Sequence, residues 1–486
     1  MNKESHIFSS YEKNTKFYDE IFDEKHDVRS IYKNLYSRFK EKSAVDFDNL
    51  NNRAKASFLN QGITFQVYKE DQMEEQIFPF DLFPRIITSD EWDHIEQGVI
   101  QRNKALNLYL WDIYHDKNII KDGIVPISLI ESSVNYLDQM QGFDPPEGVY
   151  NHICGTDLIK HSDGEYYVLE DNIRCPSGVS YVVGNRAALK RALFGVFNDH
   201  SVQSVSNYAE HLLEIMESVK PNGVDIPCSV VLTPGVYNSA YYEHSFLAQS
   251  MGVELVEGRD LFVENDFLYM KTIKGPERVD IVYRRIDDGF LDPEEFMKDS
   301  VLGVPGLMSV YLKGNVTLIN APGTGVADDK AIYTYMPQII KYYLDEEPIL
   351  KNVKTYHCSD KDDLDFVIKN MSNLVIKPVD ESGGYGVLIG DKLTQDEINE
   401  AIHNIKENPR KYIAQPIMSL STHATYIEED GSFAPRHVDL RTYTLLGKDR
   451  SYVLKGGLTR VALQKGNLIV NSSQGGGSKD TWVLKK

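Results

Sequence analysis

The sequence has few cysteines, and they form no recognisable pattern. Cys154, Cys175, Cys228 and Cys358 lie far apart, and no two of them have the Cys-x-x-Cys spacing. This argues against a disulfide scaffold and against a cysteine-based zinc site, because both need paired cysteines. We therefore expect four reduced thiols with structural roles.

Long apolar runs and an excess of positive charge are also missing. No stretch approaches the roughly 18 consecutive apolar residues of a membrane helix, and the first residues lack the apolar core of a secretory signal. We therefore expect a cytoplasmic protein without a membrane segment. The 52 lysines and arginines are outnumbered by 72 aspartates and glutamates, which gives a net charge of −20. Such a surface repels nucleic acid and anionic membranes, so an anionic ligand would need a local cationic site.

The remaining composition is that of a folded protein with several domains. Its 486 residues exceed one typical domain, and 42% of them are apolar. The sequence pattern predicts four parts: a mainly helical region over 1–140, a region of short strands over 141–220, a Rossmann-like strand–helix–strand subdomain over 221–315, and a strand-dominated region over 316–486. The predicted fold class is α/β.

Several segments carry a clear local signal. An apolar stripe at helical spacing predicts a helix over 91–114. Residues 78–87 contain two prolines and are predicted to be an extended connector. Further helices are predicted over 239–251, 327–344 and 395–408.

The first candidate site lies in residues 152–178. Two alternating runs flank Asp163-Gly164, a dipeptide suited to a two-residue hairpin turn. With that turn Ser162 pairs with Glu165, and the same register places Asp157 opposite Glu170.

Asp157 and Glu170 would then share one face of the hairpin with Asn172. Two opposed carboxylates repel each other and favour a bound cation, and oxygen ligands alone favour Mg²⁺ or Mn²⁺ over zinc. Two alternatives remain open: the register slips by one residue, or Glu170 pairs with Arg174 on an exposed face.

The second candidate site follows the strand that ends at Lys377. A loop with three glycines can bring its backbone N–H groups close to phosphate oxygens, and the lysine supplies a positive charge. No Gly-Lys-Ser/Thr follows, so this is not a Walker loop. The alternative is a loop without a ligand. The loop residues are Ser382, Gly383, Gly384, Tyr385 and Gly386.

Two further strands carry weaker signals. Residues 411–419 form a short apolar strand whose exposed backbone would offer a donor and an acceptor to an adenine edge. Residues 435–446 alternate so that Asp439 and Arg441 share one strand face. An arginine held by an aspartate can stabilise charge on a transferring phosphoryl group, and a structural ion pair explains the same pattern equally well.

Taken together, these motifs resemble the bacterial circularly permuted ATP-grasp family related to glutathionylspermidine synthase. The resemblance runs from about residue 60 to the end and is carried by VLEDNIRCPSGVSYVVGNR, TPGVYNSAYYEHSFLAQSMGVELVEGRDL, VYRRIDD, NAPGTGVADDKAIY, IKPVDESGGYG, APRHVDLR and GGLTRVAL. It implies a permuted ATP-grasp fold with a Rossmann-like subdomain and a helical N-terminal region. The resemblance implies a permuted order, because Glu170 and Asn172 precede Lys377, whereas in ordinary ATP-grasp ligases the metal-binding Glu and Asn follow the nucleotide lysines.

The resemblance implies a role for each matching position. It implies Mg²⁺ ligands at Asp157, Glu170 and Asn172, nucleotide lysines at Lys330 and Lys377, a phosphate flap over 382–386, an adenine hinge at Gln415, and an arginine at Arg441 that contacts the transferred phosphoryl group. The last 171 residues, 316–486, would be the ATP-binding subdomain.

This chain departs from the glutathionylspermidine synthase pattern at one position. Where that relative has an arginine two residues before its metal-binding aspartate, this chain has Gly155, and Arg174 is the candidate to replace it. No cysteine has a paired histidine motif of an amidase domain. Glutathionylspermidine is therefore not the expected product.

The implied activity is an ATP-dependent carboxylate–amine ligase that works through an acylphosphate on a small acid or peptide. An ATP-dependent phosphotransferase and a catalytically inactive nucleotide-binding assembly partner remain alternatives. The resemblance also implies a helical partner protein and a transglutaminase-like partner, and it leaves a homo-oligomer open. The candidate substrate contacts are Ser177, Asn238, Glu243, His244 and Arg285, with a polar helix face and internal ion pairs as the alternative explanation.

Overall fold

The computed structural model describes residues 6–69, 72–380, 386–468, 470 and 476–486. Within these residues helices and strands alternate along the chain and build several sheets, which confirms the predicted α/β class. All four cysteines are free thiols. In the described part of the chain, no helix is both long and apolar enough to cross a membrane.

The N-terminal part combines helices with strands. Its helices are Lys33–Lys40, Ala44–Asn60, Ser89–Tyr114, Asn118–Lys121 and Ile127–Glu131, and its strands are Thr64–Lys69, Gln72–Ile77 and Phe80–Ile87. The segment predicted as a connector is therefore a strand, and it pairs in parallel with the C-terminal strand Gly477–Val483. The register of this pair shifts beside Pro84, which has no N–H to donate to the ladder.

The helix Ser89–Tyr114 forms as its apolar stripe predicts. It begins with a capping box, in which the side chains of Thr88 and Glu91 each accept a hydrogen bond from the other's backbone N–H. Its apolar face is buried against the helix Met336–Leu344 and the Rossmann-like sheet. The same helix carries Arg102, which pairs with the buried Asp171 next to Glu170 of the candidate site.

A five-stranded sheet forms the centre of the candidate site. Its strands follow the order Lys351–Asn352, Tyr166–Asn172, Ile153–Lys160, Leu440–Leu446 and Ser451–Val453. Neighbours are antiparallel except for Lys351–Asn352, which runs parallel to its neighbour. We call the pair Ile153–Lys160 and Tyr166–Asn172 the acidic hairpin. Three strands from the C-terminal part thus complete a sheet begun near residue 153.

The Rossmann-like unit is present as predicted. Its parallel strands follow the order Thr317–Ile319, Ile281–Arg284, Ser229–Leu232 and Glu254–Val256. The crossover helix is Tyr241–Met251, which begins two residues later than predicted. Between the residues of the candidate site and this unit lie the helices Val179–Ala192, Phe194–Asn198 and Tyr208–Ser218. The other elements of the Rossmann-like region are the helices Asp288–Leu291 and Leu307–Leu312 and the strands Leu261–Glu264, Phe267–Thr272 and Gly275–Val279.

The C-terminal part contains a second mixed layer of helices and strands. A sheet in the order Tyr356–His357, Tyr412–Pro416, Leu374–Pro378 and Leu388–Ile389 packs on the helices Lys361–Asn370 and Gln395–Glu407. The remaining strands are Thr422–Ile427, Ser432–His437 and Thr459–Val461. The single helix predicted over 327–344 is wrong: the chain forms Gly325–Asp328, Lys330–Tyr333 and Met336–Leu344. Asp329 has an extended backbone and caps the N–H of Ala331, which separates the first two helices.

Candidate functional site

The turn of the acidic hairpin differs from the predicted one. The N–H of His161 donates to the carbonyl of Glu165 at 2.9 Å, so the loop between them holds three residues rather than two. Gly164 closes this loop with a φ of +82°, a conformation that glycine adopts without strain. The longer loop shifts the register next to the turn by one residue.

The predicted carboxylate pair nevertheless forms, because a β-bulge restores the register. Lys160 lies opposite Tyr166, one residue off the predicted pairing. Leu169 is the additional residue of the bulge, and beyond it Asp157 lies opposite Glu170. The alternative of a slip by one residue therefore holds near the turn, and the bulge restores the expected register before the candidate site.

The strand that carries Glu170 presents alternate residues to opposite faces. Glu170 and Asn172 are half-buried on one face, whereas Asp171 between them is buried on the other. Asp171 is held there by an ion pair with the buried Arg102. The Asn172 amide donates from Nδ2 to the carbonyl of Gly155 at 3.0 Å, which leaves Oδ1 as its acceptor. These contacts on both faces fix which side chains reach the cleft.

Arg441 lies on the opposite side of Asp157 from Glu170, in the next antiparallel strand. Its Nε and Nη2 donate to the two oxygens of Asp157 at 2.6 and 2.8 Å, and Nη2 lies 3.9 Å from Glu170 Oε1. The Arg441 stem passes over Gly155: its Cδ would lie 3.5 Å from a Cβ at that position. An arginine from the neighbouring strand therefore occupies the space above the glycine.

Arg460, from the strand Thr459–Val461, is a second guanidinium on Asp157, and sequence reasoning did not single it out. Its Nη2 donates to Asp157 Oδ2 at 2.7 Å, and its Nε donates to both oxygens of Asp439 at 2.9 and 3.1 Å. Burial disfavours the ionised form of Asp157, but Arg441 and Arg460 outweigh it and hold its pKa well below the usual range. Asp157 is therefore a carboxylate at neutral pH.

Two lysines lie on the other side of Glu170. Lys330 Nζ is 3.6 Å from Glu170 Oε2, and the Lys330 N–H donates to the carbonyl of Val379 at 3.2 Å. Lys377 is half-buried in the strand that leads to Val379. Burial lowers the pKa of the Lys377 ammonium to about 8, because the attraction of Glu170 only partly offsets desolvation and the repulsion of Lys330. The second part of the chain, over 141–220, and the last part, over 316–486, thus meet at Glu170.

Only one residue of the glycine-rich loop falls within the described residues. Gly386 has a φ of +68°, and a Cβ there would lie 2.8 Å from the ring of Pro378. The loop therefore returns directly against the residue that follows Lys377. The other predicted flap residues, Ser382, Gly383, Gly384 and Tyr385, lie outside the described residues.

Gln415 lies in a strand whose residues Ile413 and Ala414 are paired on both sides, so the expected exposed backbone edge is wrong at those two residues. Tyr356–His357 flanks it on one side and Leu374–Pro378 on the other. The Gln415 side chain is buried and donates from Nε2 to Thr355 Oγ1 at 2.9 Å. On the side of Tyr356–His357 the pairing ends at Ala414, so a backbone edge for adenine would have to lie beyond that residue.

Arg174 forms an ion pair with Asp328 rather than with Glu170, the partner that the alternative interpretation gave it. Its Nε donates to Asp328 Oδ2 at 2.7 Å, and Asp328 Oδ1 accepts the N–H of Ile173.

Asn320, which follows the strand Thr317–Ile319, links the acidic hairpin to the Rossmann-like sheet. It donates from Nδ2 to the carbonyls of Ile153 and Ile173, both at 2.8 Å. The start and end of the acidic hairpin are therefore tied to the Rossmann-like sheet through one buried amide.

Glu243 and Arg285, both predicted substrate contacts, are buried and bonded to each other. Glu243 Oε2 accepts the N–H groups of Gly178 at 2.8 Å and of Ser180 at 3.0 Å, which caps the helix Val179–Ala192. Arg285 Nη2 lies 3.2 Å from Glu243 Oε1. The Glu243 carboxylate thus supplies the negative charge at the start of this helix. For Glu243 and Arg285, the structure shows the internal ion pair that was the alternative to a substrate contact.

The other predicted substrate contacts differ in exposure. His244 is buried against Thr233 Oγ1 at 2.8 Å, and burial lowers its pKa to about 2, so it is neutral. Asn238 is half-buried, and its Oδ1 accepts the N–H of Ala240, which is the N-cap residue of the helix Tyr241–Met251. The carbonyl of Ser177 accepts a hydrogen bond from the Tyr443 hydroxyl at 3.1 Å.

The donor chemistry of the acidic hairpin fits a hard divalent cation. Among the described residues, no three His, Cys, Asp or Glu side chains form a ready-made metal cluster. The predicted set contains two carboxylates and an amide oxygen, which suit Mg²⁺ or Mn²⁺. The three guanidinium bonds to Asp157 leave about one lone pair, on Oδ1. The residues that converge here are Asp157, Glu170, Asn172, Lys330, Lys377 and Arg441.

Comparisons with known proteins cover nearly the whole chain. A family model described as circularly permuted ATP-grasp type 2 matches residues 84–462. An uncharacterized protein of Synechocystis is 51% identical over 469 residues, which is 96% of this chain and 97% of that protein. An uncharacterized protein of Mycobacterium tuberculosis is 48% identical over 484 residues, which is 98% of this chain and 86% of that protein.

Two further matches carry functional names. A Frankia alni protein named "Putative glutamate--cysteine ligase 2-3" is 36% identical over 472 residues, which is 96% of this chain but 54% of that protein. A solved glutathione synthetase-like effector from Globodera pallida, in its apo form, is 12% identical, with a TM-score of 0.59 over 91% of this chain and 98% of that chain. The latter is a likeness of fold alone. The family and the Frankia protein point to a ligase in general.

Proposed function

Because this chain belongs to the circularly permuted ATP-grasp type 2 family, we propose that it is an ADP-forming carboxylate–amine ligase that works through an acylphosphate. One observation carries the proposal most directly. Glu170 lies opposite Asp157 in the acidic hairpin and 3.6 Å from Lys330, while Arg441 binds Asp157 from the next strand. Carboxylates suited to bind a metal ion and basic side chains suited to bind phosphate therefore share one cleft, although they come from distant parts of the chain.

The proposed reaction has two steps. A carboxylate oxygen of the acid attacks the γ-phosphorus of ATP, the bond to the β,γ-bridging oxygen breaks, and ADP leaves with that electron pair. The amine nitrogen then attacks the acyl carbon, phosphate leaves, and the amine loses a proton. Both steps depend mainly on positioning and charge stabilisation, so a Ser–His–Asp triad is not required.

The residues of the chain divide this work. Lys330 and Lys377 bind phosphate oxygens, and Arg441 stabilises charge on the transferring phosphoryl group. Asp157, Glu170 and Asn172 would hold Mg²⁺ or Mn²⁺, which offsets phosphate charge when bound. Gln415 orients the base, the flap over 382–386 excludes water, and Arg174 assists at the edge of the cleft.

The comparisons suggest which acids to test first, and the site suggests which residues contact the substrates. The name of the Frankia protein makes glutamate and glutamyl peptides the first acids to test, although this chain spans only about half of that protein. Ser177 and Asn238 are the half-buried residues that would contact the substrates. Glu243, His244 and Arg285 are buried, so they would shape the pocket without contacting the substrates.

Nucleotide binding is the first test. Thermal unfolding of the wild type should shift upward with ATP, since a ligand at about 100 times its Kd adds about 2.7 kcal/mol of stability. Lys377→Ala should abolish the shift, whereas Glu170→Gln should remove only its Mg²⁺-dependent part. Lys406→Ala, on an exposed helix face, is the matched control. A well-folded wild type with no shift at millimolar Mg-ATP would contradict the proposal.

Trapping with hydroxylamine tests the chemistry and separates the alternatives. With ATP, Mg²⁺ and a correct acid, the enzyme should release ADP and form a hydroxamate. A stable phosphorylated product without hydroxamate would identify a phosphotransferase instead. Nucleotide binding without turnover across acids and amines would favour an inactive assembly partner.

A further inference from the structure

The buried carboxylate of Asp157 has more counter-charge than one ion pair needs. Its side chain is only 3% exposed, yet it accepts hydrogen bonds from both Arg441 and Arg460. Asp439 balances the second arginine from the other side, so the four groups alternate in charge. One guanidinium can therefore leave without exposing an unpaired buried carboxylate.

The two arginines differ in how firmly they are held. Arg460 uses its Nε and Nη2 on two carboxylates and is 8% exposed. Arg441 is 15% exposed, and its Nη1 makes only a 3.5 Å contact with the carbonyl of Ser177. Glu170, at 3.9 Å, gives Arg441 a second acidic neighbour on the side of the cleft. Arg441 is therefore the more exposed of the two arginines, and both of its short hydrogen bonds go to a single carboxylate.

We propose that Arg460 is a positioning residue that keeps Asp157 paired while Arg441 turns toward the transferring phosphoryl group. This inference rests on the proposed function, in which Arg441 contacts that group. A buried carboxylate that loses its partner is strongly destabilised. Without Arg460, Asp157 would therefore hold Arg441 in place and withdraw it from the phosphate.

The test compares the affinities of two nucleotides by titration calorimetry in Mg²⁺. AMP-PNP carries a γ-phosphoryl group and ADP does not. The ratio of the AMP-PNP affinity to the ADP affinity therefore reports contacts to the γ-phosphoryl group, and effects of a substitution on overall folding cancel in this ratio. Arg441→Met should lower the ratio by about tenfold or more, as expected for a charged hydrogen bond to phosphate. Arg460→Met should lower it by a similar factor, and the double variant should be no worse than either single variant.

Arg186→Met is the matched control, because Arg186 forms a buried pair with Asp480 outside the cleft. It should lower stability and leave the ratio unchanged. Should Arg460→Met fold poorly, Arg460→Met with Asp439→Asn removes the buried pair together and carries the same expectation.

Two results would overturn the inference, and they are distinguishable. If Arg441→Met lowers the ratio but Arg460→Met retains the wild-type value, Arg460 is merely structural and the proposed function stands. If Arg441→Met itself retains the wild-type ratio, the role of Arg441 in the proposed function fails and this inference fails with it.

Discussion

The unusual acidity of Lys377 predicts that nucleotide binding weakens at alkaline pH. Its pKa in the ligand-free protein is about 8, against an ordinary value of 10.5. The charges of bound phosphates favour the ammonium and raise this pKa, so binding takes up a proton. If bound ATP keeps Lys377 protonated throughout, affinity should fall roughly 25-fold between pH 7.5 and pH 9.5.

The stability of the ligand-free protein should change in the opposite direction. Because the folded pKa of Lys377 lies below the unfolded one, the unfolded chain binds more protons between pH 8 and pH 10.5. The contribution of this group to stability therefore rises as the pH increases through that window and is absent below it. Alkaline pH should thus favour the folded protein at this site while it weakens ATP binding.

Calorimetric titration with ATP in buffers of different ionisation enthalpy measures both quantities. At pH 8 the wild type should take up about half a proton at Lys377. Lys377→Met should bind ATP weakly and without this uptake, and Lys406→Met should behave as the wild type. An ATP affinity independent of pH over this range, or an unchanged proton uptake in Lys377→Met, would refute the reasoning.

Three further substitutions test how the site is supported. Arg102→Met leaves the buried Asp171 carboxylate unpaired, so it should cost about 3–5 kcal/mol in chemical denaturation, and a loss below about 1 kcal/mol would contradict the contact. Glu243→Gln removes the charge that caps a helix and pairs with Arg285, and should cost about 2–3 kcal/mol by the same assay; an unchanged midpoint would contradict this cap. Gly178→Ala adds a Cβ at a φ of +111° and 2.5 Å from a tyrosine hydroxyl, so the midpoint should fall by the equivalent of about 1–3 kcal/mol, and a neutral effect would refute the close approach.

The acidic hairpin shows how far local sequence patterns can be trusted. Asp163-Gly164 predicts a two-residue turn, but the turn has three residues because Gly164 alone takes the left-handed position. Asp157 still faces Glu170, since a bulge compensates for the longer turn. The same dipeptide is compatible with a turn of two or of three residues, so it does not fix the register. The pairing beyond the bulge is determined by which side chains face the cleft and which face the core.

The contacts that the sequence could not predict join distant strands. Nothing near Arg460 in the chain indicates that it would reach Asp157, some three hundred residues away. The pairing of Glu243 with the helix start at Gly178 likewise depends on how the Rossmann-like sheet packs on the acidic hairpin. From the sequence alone, a polar residue such as Glu243 on a helix face is equally compatible with a ligand contact and with a cap on a neighbouring helix.

Transfer of an isotope from acid to phosphate tests the acylphosphate most directly. The acid identified by hydroxamate trapping would be labelled with ¹⁸O in its carboxylate and incubated with the enzyme, ATP, Mg²⁺ and the amine. An acylphosphate route predicts one ¹⁸O atom in the phosphate released with each amide bond. Product amide accompanied by unlabelled phosphate would contradict the account.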